Sequence, residues 1–290
     1  MQLFSFLLIY PLIWFVSRLP FKLLYIASDI LYFILYHVIS YRKKIVMYNL
    51  KLVFPKKTDI ERKNIAKLFY SHLCDIILES LKSINIKIDD MKERFKFTNI
   101  EVVKDLEKRN KSINMMLAHY NSWEWGFILQ EYTSHKTIGI YKKLNNKYFD
   151  RLVKRSRARY NTFLVTTKEA ISVLTQNKEN GLLTINGFAA DQSPKLNKAF
   201  HWNNFLGVKV PVHTGAEMLA KKLDIPVVFF SVNKIKRGYY EATFKTITET
   251  PNDFKDYEIT DKFFKLVENQ IKQAPQYYLW THKRWKYAEN

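Results

Sequence analysis

The chain reads as an α/β protein: a central, mostly parallel sheet flanked by helices, behind an N-terminal helical segment that anchors it to a membrane. Three observations predict this. From about Phe95 onward, short apolar runs alternate with helix-length segments, the rhythm of strand–helix units. Before that point lie two long apolar runs, residues 3–16 and 23–41. Over 290 residues, 47% are hydrophobic and 16% aromatic, which suits a large packed core and argues against disorder.

The elements follow in order. The first run is apolar apart from Ser5, contains Pro11 and is closed by Arg18. It is short for a straight span of about 17–25 residues, so it is expected to cross marginally or dip in. The second run carries Asp29 and His37 and is followed by Arg42-Lys43-Lys44. A charge at the bilayer centre costs roughly 2.5–3.5 kcal/mol, so this run is expected to lie along the interface. The basic residues after each run hold the following domain on the cytoplasmic side. No basic segment precedes the first run and no small-x-small cleavage site follows it, which argues against a signal peptide. The expected division is an anchor over 1–45 and an α/β domain over 46–290.

Residues 48–55 read as a connector. Thr58-Asp59-Ile60-Glu61 is a capping box that opens a long amphipathic helix with apolar positions at Ile65, Leu68, Phe69, Leu73, Ile76, Ile77, Leu81 and Ile84. Strands are expected at 113–118, 137–141, 162–165, 182–185, 226–232 and 239–247. Helices are expected at 121–132, 146–159, 168–177, 213–223 and 260–273, the last ending before Pro275. Residues 189–212 lack periodicity and read as a long loop, a form that is often functional.

The formal net charge is +20. Such a surface attracts nucleic acid, anionic membrane, phosphorylated lipid or an acidic carrier protein, although lysine-rich codon usage alone also raises charge. Seven glycines form neither a Walker loop nor a dinucleotide fingerprint, so bound nucleotide is not suggested. One cysteine, Cys74, excludes an internal disulfide and a multi-cysteine zinc site. No zinc-finger, helix-turn-helix or aromatic-basic RNA motif supports a nucleic-acid module.

His119 and Glu124, at the strand-to-helix turn Ala118-His119-Tyr120-Asn121-Ser122-Trp123-Glu124, are the candidates for chemistry. A neutral imidazole can take a proton from a hydroxyl as its oxygen attacks. A carboxylate on the other ring nitrogen fixes the tautomer and stabilises the imidazolium. The competing reading is that Asn121-Ser122-Trp123-Glu124 is a capping box and Glu124 only closes its own helix. Arg151, Lys154, Arg155 and Arg159 form a helical stripe near Arg157 and Lys142, and guanidinium forks suit phosphate oxygens. A solvated helix face accounts for the same pattern. His213 and Glu217 are four apart but lack a third metal ligand, and Ser193 is not in a nucleophile elbow.

Taken together, these residues resemble the lipid A biosynthesis acyltransferases of the lauroyl/myristoyl type, within the lysophospholipid acyltransferase superfamily. The resemblance covers nearly the whole chain. It rests on the His-x4-acid motif at His119 and Glu124, on Tyr41-Arg42-Lys43-Lys44, Asn49-Leu50 and Phe54-Pro55, and on Asp191-Gln192-Ser193-Pro194. Phe205-Leu206-Gly207, Thr214-Gly215-Ala216-Glu217 and the terminal Tyr278-Leu279-Trp280-Thr281-His282-Lys283-Arg284-Trp285-Lys286 complete it. It implies a glycerolipid-acyltransferase-like fold at the cytoplasmic face of a bacterial inner membrane. It also implies transfer of an acyl chain from an acyl carrier protein thioester to a hydroxyl of a phosphorylated glucosamine lipid, with no metal or nucleotide cofactor. His119 takes the role of general base and Glu124 that of its orienting acid. Arg159, Arg157, Lys142, Asp191 and Glu217 are the expected substrate-binding residues, with no derived role for Asp191. Lysine at 142 and asparagine at 161 depart from the arginine and nearby glycine that many members carry, and bear on acceptor geometry. The same chemistry on another glycolipid, phospholipid or aminolipid, and a basic module without enzymatic activity, are the alternative readings.

Overall fold

A computed structural model describes residues 1–288; the last two positions of the domain expected to end at 290 lie outside the described residues. Helices α1 (Gln2–Arg18) and α2 (Phe21–Phe33) open the chain, and α2 runs into a π-helical turn at Ile34–Val38. Helices α3 (Lys43–Val53) and α4 (Asp59–Lys82) follow. The stretch read as a connector is therefore helical as far as Val53. Val46, Asn49, Leu50 and Val53 lie at i, i+3, i+4 and i+7 and are buried, but intervening lysines dilute the pattern in so short a segment. Helix α4 starts where its capping box sits: Glu61 N–H donates to Thr58 Oγ1 at 3.3 Å, and Thr58 N–H donates to Glu61 Oε2 at 2.6 Å.

Next come α5 (Ile88–Arg94), β1 (Phe95–Phe97), α6 (Glu101–Lys108), β2 (Ile113–Leu117) and a 3-10 helix at Trp123–Glu131. Then β3 (Lys136–Tyr141), α7 (Lys147–Arg157), a 3-10 turn at Ala158–Tyr160, β4 (Phe163–Thr166), α8 (Ala170–Glu179) and β5 (Thr184–Ala189). The chain continues through β6 (His201–Phe205), β7 (Val208–Val212), α9 (Gly215–Leu223), β8 (Val227–Lys236), β9 (Tyr239–Thr248) and α10 (Glu258–Gln273). Strand order in the main sheet is β1-β9-β8-β2-β5-β3-β4. The pairs from β8 through β4 are parallel, β9 is antiparallel to β8, and β1 is parallel to β9. The fold is α/β with a mixed, mostly parallel sheet. Strand β2, at its centre, is buried at every position, as a strand covered on both faces must be.

Residues 189–212 are not a plain loop. They contain the antiparallel hairpin β6–β7, closed by Leu206 (φ 54°) and Gly207 (φ 82°). Two consecutive left-handed residues are what a two-residue hairpin turn needs. A leucine in that conformation hides the turn from sequence inspection.

Helix α1 exposes Phe4, Leu8, Leu12 and Phe15, and α2 exposes Ile26, Ile30 and Phe33. The segment Phe21–Val38 is long and apolar enough to cross a membrane, whereas α1 is shorter. An N-terminal apolar helix of this length is consistent with a membrane anchor. The other face of α2 docks on the domain. Tyr25 Oη donates to Glu79 Oε1 at 2.9 Å, Ser28 Oγ donates to Asp75 Oδ1 at 2.7 Å, and Arg237 bridges Asp29 and Asp75.

Candidate functional site

Strands β2 and β5 are adjacent and parallel, with Leu117 opposite Ala189. Two residues beyond each, on the same edge of the sheet, stand His119 and Asp191. The carboxyl ends of parallel strands are the usual location of ligand sites in open α/β sheets. Asp191 is buried, and Asp191 Oδ1 accepts the backbone N–H of His119 at 3.0 Å and lies 2.7 Å from His119 Nδ1. The ring's other nitrogen, Nε2, has only a 3.3 Å contact with the Gln192 side-chain amide.

The chain turns immediately after His119. Asn121 adopts a left-handed conformation (φ 58°), which its short side chain tolerates. The turn is fastened to the C-terminal segment: Leu279 N–H donates to His119 O at 3.2 Å, Asn121 N–H donates to Tyr277 O at 3.0 Å, and Tyr120 bridges to Tyr278. Arg284, fully buried, donates to Ser193 Oγ and Pro211 O and braces the stretch after Asp191. Thus the terminal Tyr278–Trp285 block scaffolds the site from behind.

Glu124 is not the residue on the imidazole. Its carboxylate pairs with Arg157, whose guanidinium carbon lies 5.6 Å from the Trp123 ring centroid. Trp123 in turn meets the His119 ring edge-on at 5.2 Å. Glu124 is five residues past His119, and the intervening 3-10 turn carries it toward α7 rather than back over the ring. The capping-box alternative also differs from the structure, because the Asn121 amide donates to Val232 O and its oxygen takes no bond from the Glu124 N–H, and Ser122 makes no capping bond either. Ser122 Oγ donates instead to Glu79 Oε2 at 3.4 Å. Among the polar groups behind the turn, Glu79 is the central one: fully buried, it also accepts from Tyr240 Oη at 2.8 Å and Tyr25 Oη at 2.9 Å. Burial pushes its pKa up to about 7, helped by nearby Asp75.

Electrostatics favour a paired histidine. Burial pulls the His119 pKa down, but the Asp191 carboxylate and, further off, Glu124 more than offset this, leaving it above the usual value of 6.5. Burial alone would raise the Asp191 pKa; His119 overrides it and holds the acid below its usual range.

A cavity of about 300 Å³ opens beside the turn. Its walls include Glu124, Arg157, Phe127, Leu144, Phe149 and Tyr160. That is the lower end of ligand-pocket sizes, ~300–1,000 Å³. His119 and Trp123 do not line it; Trp123 stands between His119 and the cavity, 5.2 Å from the His119 ring and 6.3 Å from the ring of the wall residue Phe127.

The remaining expected site residues divide. Arg159 falls beyond α7, in the 3-10 turn, so it does not continue the helical stripe, yet it lines a second cleft with Arg155. Lys142 is exposed one residue past β3. Glu217 is committed elsewhere: its carboxylate accepts from Tyr257 N–H, Thr260 N–H and Thr260 Oγ1 at 2.6–2.8 Å and closes the N-terminus of α10. Sequence reasoning missed the parts played by Asp191, Gln192 and Glu79. Asp191 was singled out only through the Asp191-Gln192-Ser193-Pro194 stretch of the resemblance, without a role.

The model of the bacterial lipid A biosynthesis acyltransferase family matches residues 2–287 of the chain. The lipid A biosynthesis lauroyltransferase of Escherichia coli K12 is 23% identical over 278 residues, 94% of this chain and 89% of that protein. The palmitoleoyltransferase of the same strain is 21% identical over 247 residues, 84% of this chain and 79% of that protein. A lipid A biosynthesis acyltransferase of Shigella flexneri is likewise 21% identical over 247 residues, with the same 84% and 79% coverage.

Proposed function

The chain belongs to the bacterial lipid A biosynthesis acyltransferase family and is an acyl-transferring enzyme acting on a lipid A-type acceptor, and from that premise we propose that His119 is its general base, oriented by Asp191. The acceptor hydroxyl approaches Nε2 and displaces the long Gln192 contact. Its oxygen attacks the thioester carbonyl of an acyl chain carried on acyl carrier protein. The hydroxyl proton passes to Nε2 while the Nδ1–H bond to Asp191 stabilises the imidazolium. Backbone N–H groups opening the Trp123–Glu131 turn, with Arg157 nearby, offset the developing oxyanion. The tetrahedral centre then expels the carrier thiolate. That thiolate takes the proton from Nε2, so the ester forms, the C–S bond breaks and the ring returns to neutral.

The observation that carries this reading is the His119–Asp191 pair, with one ring nitrogen tied to a buried carboxylate and the other nearly free. Glu124 shapes the site through Arg157, and the cavity beside them accepts hydrocarbon. Arg159 is the cation best placed for the acceptor's phosphate. The acidic carrier suits the +20 charge, and the apolar faces of α1 and α2 suit the cytoplasmic surface of an inner membrane.

The test is transfer of a labelled acyl group from acyl carrier protein to an acylated, phosphorylated glucosamine lipid by purified protein. His119→Ala should lower turnover by orders of magnitude with its melting temperature retained. Near wild-type transfer by a folded His119→Ala protein would remove the assignment. Lipids from cells lacking the gene should be one acyl chain short on the glucosamine lipid.

A further inference from the structure

A second cleft, of about 260 Å³, lies between α1 and α7, and three guanidinium groups line it: Arg18 from α1, and Arg155 and Arg159 from α7 and the turn after it. Two of them are positioned by neutral contacts. The Arg18 guanidinium carbon lies 3.8 Å from the Trp14 ring centroid, and Arg159 Nη1 donates to Ser83 O at 3.1 Å. Among the described residues none of the three has a carboxylate partner, whereas neighbouring Arg157 is paired with Glu124. Three like charges gathered in one concavity with no counter-ion repel one another, and a bound anion relieves that repulsion. Planar guanidinium forks match phosphate oxygens bidentately.

The cleft also shares a wall, Ile13, Ile84, Leu152 and Ser156, with the apolar cavity that touches Glu124 and Arg157. A ligand with an anionic head and a hydrocarbon body fits across the two. Helix α1, which carries Arg18 at its end, also exposes the apolar side chains Phe4, Leu8, Leu12 and Phe15, a face suited to a lipid surface. Building on the acyl-transfer reading above, we propose that Arg18, Arg155 and Arg159 form the phosphate site for the acceptor lipid. The membrane-anchoring helix then contributes directly to acceptor binding through Arg18. The head is held at the anchor while the body of the lipid extends toward the catalytic turn.

All three arginines are exposed, so their removal leaves the fold intact. Steady-state transfer is measured on a monophosphorylated, acylated glucosamine lipid and on the same lipid after phosphatase treatment, in micelles with and without phosphatidylglycerol. The Arg18→Ala/Arg155→Ala protein should show a KM at least about tenfold higher for the phosphorylated acceptor, with kcat within about threefold. That penalty should vanish on the dephosphorylated acceptor, and Arg18→Lys/Arg155→Lys should restore part of the affinity. An equal penalty on both acceptors overturns the proposal. So does a penalty seen only when phosphatidylglycerol is present, since the phosphate recognised is then that of the bilayer. Binding of the two lipids to His119→Ala protein, with and without the arginine substitutions, separates this proposal from the acyl-transfer reading. Phosphate-dependent binding that needs Arg18 and Arg155 upholds the cleft even if no transfer occurs, and its absence removes the cleft even if transfer proceeds.

Discussion

Replacing Asp191 with asparagine keeps the side-chain shape and removes the charge that His119 faces. In the native site the ring is pulled one way by burial and the other by Asp191, and the carboxylate prevails, setting the pKa above 6.5. With a neutral amide, burial prevails and the ring's pKa falls. The acid limb of kcat/KM, which reports the free enzyme's base, should therefore move to lower pH. The rate should fall at the same time. A hydrogen bond to a charged group contributes ~1.5–3 kcal/mol. At ~1.36 kcal/mol per factor of ten, that is about 10- to 150-fold in rate. An amide can also present its N–H₂ to Nδ1 and select the wrong tautomer, a defect that costs ~10⁴-fold in hydrolase triads. The expected loss in kcat lies between about 10- and 10⁴-fold, measured on protein whose thermal melt shows it folded at the assay temperature. The assay is acyl transfer across roughly pH 5 to 9, run beside Glu124→Gln. Glu124 touches Arg157 and not the ring, so its substitution should move the acid limb far less. If Asp191→Asn keeps wild-type turnover and an unmoved limb while Glu124→Gln shifts it, the orienting acid is Glu124 and the pairing drawn here is wrong.

Three more outcomes follow from buried groups. Glu79 has its folded pKa raised from 4.5 to about 7, so the folded state favours the proton. Stability is then highest below the unfolded value and declines as pH rises from about 4.5 through 7, by at most roughly 3–4 kcal/mol at ~1.36 kcal/mol per unit. Glu79→Gln should flatten that decline, and thermal melts at pH 5 and 8 with the same slope as wild type would contradict it. Glu217→Gln weakens the charged closure of α10 and should cost ~1.5–3 kcal/mol of stability; kcat and KM of the folded protein should stay constant, and a selective rise in KM would return Glu217 to the site. Gly238 has φ 75°, and an added Cβ would lie 2.0 Å from Tyr25 Oη. Gly238→Ala should therefore loosen α2 from Glu79, lowering the melting temperature and raising proteolysis near Tyr25; unchanged values on both counts would show that the loop simply shifts.

Much of the sheet was legible because its parallel strands are buried on both faces and so read as largely apolar runs; in Ile113–Leu117 only Asn114 interrupts, and its buried amide donates to Ala216 O and accepts from Asn186. The start of α4 was legible from the capping box, which is local chemistry. What escaped was non-local or conformationally unusual. The Trp123–Glu131 segment has helical composition, yet Gly126 packs so closely that an added Cβ would sit 2.9 Å from the Phe230 ring. The chain there takes the tighter 3-10 path. In α4, the polar residues His72, Asp75 and Glu79 are buried on a face that periodicity of apolar residues cannot mark. They are tolerated there because each meets a partner from an element far along the chain, such as Lys234, Arg237 or Tyr240.

The candidate site shows the same division. His119 stood out because a histidine past a buried strand, five residues before an acid, is a local pattern. Its partner did not, because the pairing with Asp191 spans 72 residues and exists only through the register of β2 on β5. Two positions beyond Leu117 and two beyond Ala189 are equivalent points past neighbouring parallel strands, and here the two residues meet. A nearby acid in the sequence is a weaker guide to an imidazole's partner than the strand pairing itself. In an α/β sheet the residue that completes a site is found by asking which strand lies alongside and counting the same number of steps past its end. Here that count leads from His119 to Asp191, while Glu124, nearer in the chain, is carried by its 3-10 turn to Arg157 and the wall of the cavity.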